Sequence, residues 1–475
     1  MNKNEEYVVS IDDITSEGDG VGRIEGYALF IKDALIGDKV RVKIMKAKKS
    51  YAFARLLEIL EPSPFRVEPR CNIARQCGGC QLQHLDYQKQ LEYKQNKVKN
   101  CLERIGKFQV KESKDENQSN PDNSNQGHTS NHIEMQPIMG MEDPFYYRNK
   151  AQFPVGTDKD GKIVTGFYAN RTHSIIDTAH CYIQSEINED ILTIIREFLT
   201  KHKIPTYEET THTGLVRHIL TRVGYTTGEI MVCLILNGNK LPKQEELIEN
   251  LTQIKGMKSI CLNVNKEKTN VILGSKVIPI WGQDYITDAI GDVKYQISPL
   301  SFYQVNPDQT RNLYETALSY ADLHGDEIVW DLYCGIGTIS LFLAKKAKAV
   351  YGVEIVPEAI ADAKKNAELN SIENATFFVG AAEEIMPSKY KEEHIVADVV
   401  VVDPPRKGCD ASLLDTIVQM GPKKVVYVSC DPATLARDLR YLADRGYQVV
   451  KARAVDMFPH SVHVESVTCL HRVNS

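Results

Sequence analysis

No apolar run in this chain is long enough to cross a bilayer. The opening Met1-Asn-Lys-Asn-Glu-Glu6 is too polar for a signal peptide. These absences predict a cytoplasmic protein with no membrane partner. Charge of one sign is scarce as well. A net charge of -6 over 475 residues excludes a polycation, so any nucleic-acid contact must come from a local basic surface. The eleven cysteines are odd in number and thinly spread. In a reducing compartment that argues against a disulfide scaffold and leaves thiols, a metal site or catalysis. Hydrophobic content of 42% and charged content of 25% are ordinary for a globular protein. The length predicts about two to four domains.

Residues 1–62 read as a small all-β unit. Tyr7-Val-Val-Ser-Ile11, Tyr27-Ala-Leu-Phe-Ile31 and Lys39-Val-Arg-Val-Lys-Ile44 are strand candidates. Gly18, Gly20, Gly22 and Gly26 mark tight turns between the first two. Lys39, Arg41, Lys43, Lys46, Lys48, Lys49 and Arg55 crowd into 17 positions with Tyr51 and Phe53 among them. Cations for phosphates and rings for bases suit single-stranded nucleic acid; a solvated strand face is the plain alternative. Turn glycines followed by basic strands resemble a TRAM domain, which implies an RNA-binding β-barrel (an OB-like fold).

Pro62-Ser-Pro-Phe-Arg66 is a connector, and residues 63–297 are expected to form a central, β-rich domain. It opens with Cys71, Cys77 and Cys80, three cysteines within ten residues. Their spacing around Gly78-Gly79 indicates soft-ligand metal binding. No fourth ligand follows closely; Cys101 and Cys181 are the nearest candidates. Zinc and an iron–sulfur cluster both stay open. The spacing is not the Cys-x3-Cys-x2-Cys of radical enzymes that cleave S-adenosylmethionine, which favours a structural site over a radical one. Residues 82–106 predict one long helix, with Leu85, Leu91, Val98 and Leu102 on one side. Residues 111–133 hold almost nothing apolar and predict a flexible insertion. Tyr146-Tyr-Arg148-Asn-Lys150, Arg217, His218 and Arg222 bring cations to the mixed region after residue 136. Surface positions are expected for most of them and RNA contact for some.

Residues 298–475 alternate strand and helix, the pattern of a doubly wound, Rossmann-like α/β sheet. Ile328-Val-Trp-Asp331 is a strand, followed by the glycine turn Leu332-Tyr333-Cys334-Gly335-Ile-Gly337-Thr338. The next strand, Ala349-Val-Tyr-Gly-Val-Glu354, ends in an acid that can hold ribose hydroxyls. The third glycine of a dinucleotide site is missing, so the turn leans to S-adenosylmethionine over NAD. Ala397-Asp-Val-Val-Val-Val-Asp403 ends in Asp403-Pro-Pro-Arg406. In enzymes that methylate exocyclic amines, Asp/Asn-Pro-Pro at this tip holds the amino group. An aromatic usually follows there, where this chain has Arg406, and such enzymes need no cysteine.

A cysteine is present. Lys423-Lys-Val-Val-Tyr-Val-Ser429 reads as a buried strand, and Ala433-Thr-Leu-Ala-Arg-Asp-Leu439 as a helix opening after Pro432. Cys430 therefore sits at the carboxyl end of a parallel strand, where α/β sheets bind ligands. The helix dipole is expected to favour a thiolate there; a buried structural thiol is the bland alternative. A pyrimidine C5 carbon needs such a thiolate, because it becomes nucleophilic only after addition at C6, and it needs a base to take the C5 proton afterwards. His463-Val-Glu465 opens the last strand. In this winding it returns beside the Cys430 strand, where a buried Glu465 would have a raised pKa suited to that base.

Together these residues resemble the RNA uracil-5 methyltransferase family over nearly the whole chain. The likeness rests on the TRAM-like start, Cys71/Cys77/Cys80 and Ser301-Phe-Tyr-Gln304-Val-Asn306. It continues through Asp331-Leu-Tyr-Cys-Gly-Ile-Gly337, Asp403-Pro-Pro-Arg-Lys-Gly408, Ser429-Cys-Asp-Pro432 and His463-Val-Glu465. It implies a class I S-adenosylmethionine-dependent methyltransferase domain, with Gln304, Tyr333, Glu354 and Asp403 as cofactor contacts. It also implies Cys430 as nucleophile, Glu465 as general base, and a [4Fe-4S] cluster on Cys71, Cys77, Cys80 and Cys181. Members with both TRAM domain and cluster are similar to 23S ribosomal RNA enzymes, and the transfer-RNA members typically lack both. The implied substrate is 23S rRNA, handled by a monomer. A tRNA uracil-5 methyltransferase is the first alternative; an amino-group methyltransferase and a non-catalytic RNA-binding factor follow.

Overall fold

A computed structural model describes residues 1–113, 132–169 and 172–473. The chain divides into two compact units. One comprises Met1–Lys97, Phe167–Ile176 and Phe458–His463, and the other the remainder. No helix among the described residues is long and apolar enough to cross a membrane.

In the first unit, Glu6–Ile14, Gly20–Ile24, Tyr27–Ile31, Lys39–Ala47 and Tyr51–Glu61 close into a barrel. Alternate residues fill its interior, among them Val9, Ile11, Leu29, Ile31, Val40, Val42, Ile44, Ala52 and Ala54. Two of these strands are not evident from sequence. Gly18 and Gly26 do turn the chain, with φ of +86° and +82°. Gly20 and Gly22 lie inside a strand instead. A Cβ on Gly20 would meet the Ala34 carbonyl oxygen at 2.7 Å, and one on Gly22 the Ser10 carbonyl oxygen at 2.8 Å. These glycines permit close backbone approach rather than a turn. Lys39 pairs with Glu61 and Arg41 with Glu58, which removes two cations from the basic stripe. Phe30, Tyr51 and Phe53 form a ring cluster with centroids 5.5–5.8 Å apart.

The long helix is Tyr87–Arg104, shorter than the predicted 82–106. The Asp86 carboxylate accepts from the Gln88 and Lys89 amides and starts it there. Within the first unit its Lys94 donates to the Phe458 carbonyl and its Lys97 to the Val462 carbonyl, each at 2.9 Å.

The second unit holds a nine-stranded sheet. Its order is Ala375–Val379, Ala349–Glu354, Ile328–Leu332, Val399–Val402, Lys424–Ser429, Glu465–Arg472, Tyr447–Val455, His132–Met139 and Gln109–Glu112. The strands are parallel except Glu465–Arg472, which is antiparallel to both neighbours. Val399–Val402 is buried throughout, as expected of a strand covered on both faces. The two outermost strands correct the predicted boundary. Gln109–Glu112 and His132–Met139 belong to this sheet, not to a separate central domain. Only pairing with Tyr447–Val455, far along the chain, reveals this. Most of the predicted insertion lies outside the described residues, but its two ends are strands.

A further sheet of this unit includes, in order, Ile163–Tyr168, Lys150–Thr157, Val216–Val223, Ile230–Leu236, Met257–Val264 and Lys276–Gly282. Arg217, His218 and Arg222 prove to be buried here, at 4%, 7% and 2% exposure, contrary to the surface positions expected for most of the cations.

Candidate active site

Three neighbouring strand tips bring the central residues together. Asp403 follows Val399–Val402 and Cys430 follows Lys424–Ser429. Glu465 opens the antiparallel strand between Lys424–Ser429 and Tyr447–Val455. Because that strand runs the other way, its start lies on the same sheet edge as its neighbours' ends. Ser429 faces Ser466 in register, and strands sit about 4.8 Å apart, so the thiol and the carboxyl flank one crevice.

Glu465 is buried, at 3% exposure. Burial, reinforced by the Asp403 carboxylate, raises its carboxyl well above the usual range, and Arg406 opposes this. Burial also raises Asp403. The Cys430 thiol is pushed up to about 12 by burial and then by Glu465 and Asp403, with Arg406 acting the other way. The expectation that the helix dipole favours a thiolate is therefore corrected. Helix Pro432–Ala443 does begin beside Cys430, but the Asp431 carboxylate caps it, accepting from Ala433 N at 2.9 Å and Thr434 N at 3.0 Å. The capping carboxylate occupies the site where an anion gains from the dipole.

The glycine turn forms the adjoining part of the edge. Tyr333 adopts φ +69°, a left-handed conformation uncommon for a bulky residue. It is enforced by two amides, Tyr333 N and Cys334 N, both donating to the Val353 carbonyl. Gly335 and Gly337 follow at φ +55° and +81°. A Cβ on Gly335 would meet no atom within 4 Å, so the turn presents bare backbone. Asp331 is fully buried. Its Oδ2 accepts from Ser340 Oγ, and its Oδ1 has no partner among the described residues. Burial lifts this carboxyl to about 7. Glu354 ends the next strand and receives the Val356 amide at 3.0 Å. An orphaned buried oxygen, open glycine backbone and a strand-tip acid fit a nucleoside with a charged amino-acid tail.

Gln304 lies in the segment before helix Pro307–Ala321 and is buried, at 7% exposure. Asn306 caps that helix and also donates to the Met457 carbonyl at 3.1 Å. The Gln304 carbonyl accepts from Asn149 Nδ2 at 2.9 Å.

One residue escaped sequence reading. Asp438 is 1% exposed. It accepts from Tyr427 OH at 2.6 Å, Cys409 N at 2.9 Å and Arg437 Nε at 2.8 Å. It thereby fastens the Asp403–Cys409 loop, with Arg406, to the Cys430 strand and helix. Gly408, at φ +78°, packs against it so closely that a Cβ would lie 2.5 Å from Asp438 Oδ2. An acid set between Leu435, Leu439 and Leu442 on one helix face was the available signal.

The proposed cluster cysteines fall in both units. Cys71, Cys77 and Cys80 lie in the first, half-buried, and Cys181 in the second. Cys77 Sγ accepts from the Gly79 amide at 3.4 Å. Among the described residues, no group of three or more His, Cys, Asp or Glu side chains stands ready to hold a metal ion.

Residues 141–473 match the family described as tRNA (Uracil-5-)-methyltransferase, and residues 2–57 match the TRAM domain. An RNA methyltransferase of Halalkalibacterium halodurans, itself described as uncharacterized, is 50% identical over 100% of this chain and 98% of its own length. A similarly described RNA methyltransferase of Clostridium tetani is 48% identical over 98% of this chain and 96% of its own. Among solved structures, the tRNA (uracil-54, C5)-methyltransferase of Pyrococcus abyssi in complex with S-adenosyl-L-homocysteine aligns with a TM-score of 0.75. It is 28% identical and covers 98% of this chain and 99% of its own. The chain thus belongs to the RNA uracil-5-methyltransferase family, S-adenosylmethionine-dependent enzymes, and carries a TRAM domain at its start.

Proposed function

We propose that this protein forms 5-methyluridine in 23S ribosomal RNA, acting as a cytoplasmic monomer. The observation that carries the chemistry is the meeting of Cys430, Glu465 and Asp403 on one sheet edge. A thiol next to a buried carboxyl suits carbon methylation and has no use in amino-group methylation.

The barrel and its basic, aromatic face bind folded RNA through phosphates and loop bases. The target uridine turns out of its stack into the crevice. Cys430 loses its proton to solvent, helped by the Arg406 charge, and its sulfur bonds to C6. Electron density moves to C5 and O4. Bound S-adenosylmethionine supplies the methyl group from its sulfonium. Gln304, Tyr333, Glu354 and Asp403 orient that donor. C5 takes the methyl group, Glu465 takes the C5 proton, and the S–C6 bond breaks to restore the C5=C6 double bond.

The ribosomal assignment rests on the TRAM domain occurring with the cysteine group. A transfer-RNA substrate is the second reading, because the Pyrococcus abyssi tRNA enzyme aligns along almost the entire chain. Mapping 5-methyluridine in ribosomal and transfer RNA with and without this protein separates them. Loss of a 23S site supports the first reading, and loss confined to tRNA establishes the second.

Cys71, Cys77, Cys80 and Cys181 are proposed to hold a [4Fe-4S] cluster. Soft thiolates are the donor chemistry such a cluster takes, and the Gly79 amide donating to Cys77 Sγ is the kind of hydrogen bond that tunes such sulfurs. Anaerobic purification is expected to give a brown protein with iron and sulfide in equal amounts. A colourless protein with stoichiometric zinc would refute the cluster.

A further inference from the structure

Arg148, Lys150 and Arg222 form a cationic group with no acidic partner among the described residues. Lys150 and Arg222 are direct partners across antiparallel strands, and Arg148, two residues before Lys150, is close enough for its charge to act on the amine. Like charges facing each other across a strand pair are destabilising. Arg222 is 2% exposed. One of its Nη atoms donates to the Ser301 carbonyl, while its Nε is buried without a partner. The Nε of Arg148 is in the same state. Burial, and then the Arg222 and Arg148 charges, push the Lys150 amine down to about 7, with no acid acting on it among the described residues. Burying a charge without a partner is costly. A chain tolerates that where an anion arrives to offset it.

The place of the group says which anion. Asn149, between Arg148 and Lys150, joins this strand to the Gln304 segment. Its side chain donates to the Gln304 carbonyl, and its amide donates to the Val305 carbonyl at 2.9 Å. Its Oδ1 is buried and unpartnered. The cations therefore stand beside the segment that leads into helix Pro307–Ala321, whose Tyr314 is acted on by Asp403, Asp331 and Glu465; Arg148 and Lys150 are half-buried and Arg222 is buried. A guanidinium fork and an ammonium together match the oxygens of a phosphodiester.

We propose that Arg148, Lys150 and Arg222 seat one backbone phosphodiester of the substrate RNA, at or next to the uridine that reacts. This rests on the RNA uracil-5 chemistry above. It adds an anchor that holds the sugar–phosphate while the base is in the crevice.

The test uses a short RNA containing the mapped uridine, with single phosphates replaced one at a time by neutral methylphosphonates. For wild type, one replacement is expected to lower kcat/KM by about 10- to 100-fold. Lys150→Met is expected to show a similar loss on the unmodified RNA, with little added loss from that methylphosphonate. Its salt dependence should weaken by about one counterion. Lys150 is half-buried, so the Lys150→Met variant is expected to fold. Affinity for S-adenosylhomocysteine should stay unchanged. Indifference of wild type to every neutral linkage overturns the proposal. So does a Lys150→Met variant that loses S-adenosylhomocysteine instead, which would assign the cations to the cofactor carboxylate. Failure of wild type to methylate the unmodified RNA overturns the parent reading, and the proposal with it.

Discussion

Replacing Cys430 by alanine is expected to lower methylation by at least about 10⁴-fold, because a nucleophile and its base act as a unit. The covalent RNA adduct should vanish from denaturing gels. The loss is chemical and not structural. Cys430 is only half-buried, and Asp431, not the thiol, satisfies the amides that open helix Pro432–Ala443. Thermal stability and affinity for S-adenosylhomocysteine should therefore be close to wild type. With the thiol pushed up to about 12, alkylation of the resting protein should be slow at neutral pH and faster as pH rises. Substantial turnover by Cys430→Ala would remove Cys430 from the role of nucleophile. An amino-group methyltransferase would give that result.

Glu465→Gln is expected to separate methylation from release. The glutamine is nearly the same size in the same buried place, so S–C6 bond formation and methyl transfer proceed. The C5 proton then has no acceptor, and methylated RNA accumulates joined to the protein. The release step in wild type should quicken as pH rises through the elevated Glu465 value, since only the ionised carboxyl accepts a proton; in the variant it should be slow at every pH. Stability moves in the opposite sense. The folded state holds this proton more tightly than the unfolded chain does, so the wild type loses stability as pH climbs from the ordinary carboxylate range through the raised value. Glu465→Gln should abolish that part of the loss. A variant that releases product normally would assign proton removal to another group.

Much of the site could be read before any coordinates because it sits on local patterns. The run Lys424–Ser429 with its capped helix, the valines before Asp403, and the glycine turn after Asp331 each announce themselves within a dozen residues. What stayed hidden depends on distant partners. Gly20 and Gly22 look like turn residues until the approaching backbone of Ala34 and Ser10 is seen. Strands Gln109–Glu112 and His132–Met139 border a polar stretch that conceals them, and their pairing is with the end of the chain. The ionisation of Cys430 is not legible in sequence, because the helix beside it reads as an unoccupied anion site. The Asp431 cap and the two carboxylates are visible only once the strands are side by side. Asp438 was overlooked for a related reason: its partners Tyr427 and Cys409 come from two other segments.

The reversed course of Glu465–Arg472 makes catalysis hostage to alignment. Side chains along a strand alternate between the two faces of the sheet, so sliding this one by a single position would send Glu465 to the far face and bring Ser466 into its place. The slide would also carry exposed His471 into the buried position of Leu470 and Glu465 into that of Val464, so the alignment is strongly specified. A lengthened or shortened tether ahead of Glu465 thus misplaces the carboxyl and costs stability together, whereas exposed loops elsewhere absorb such changes freely.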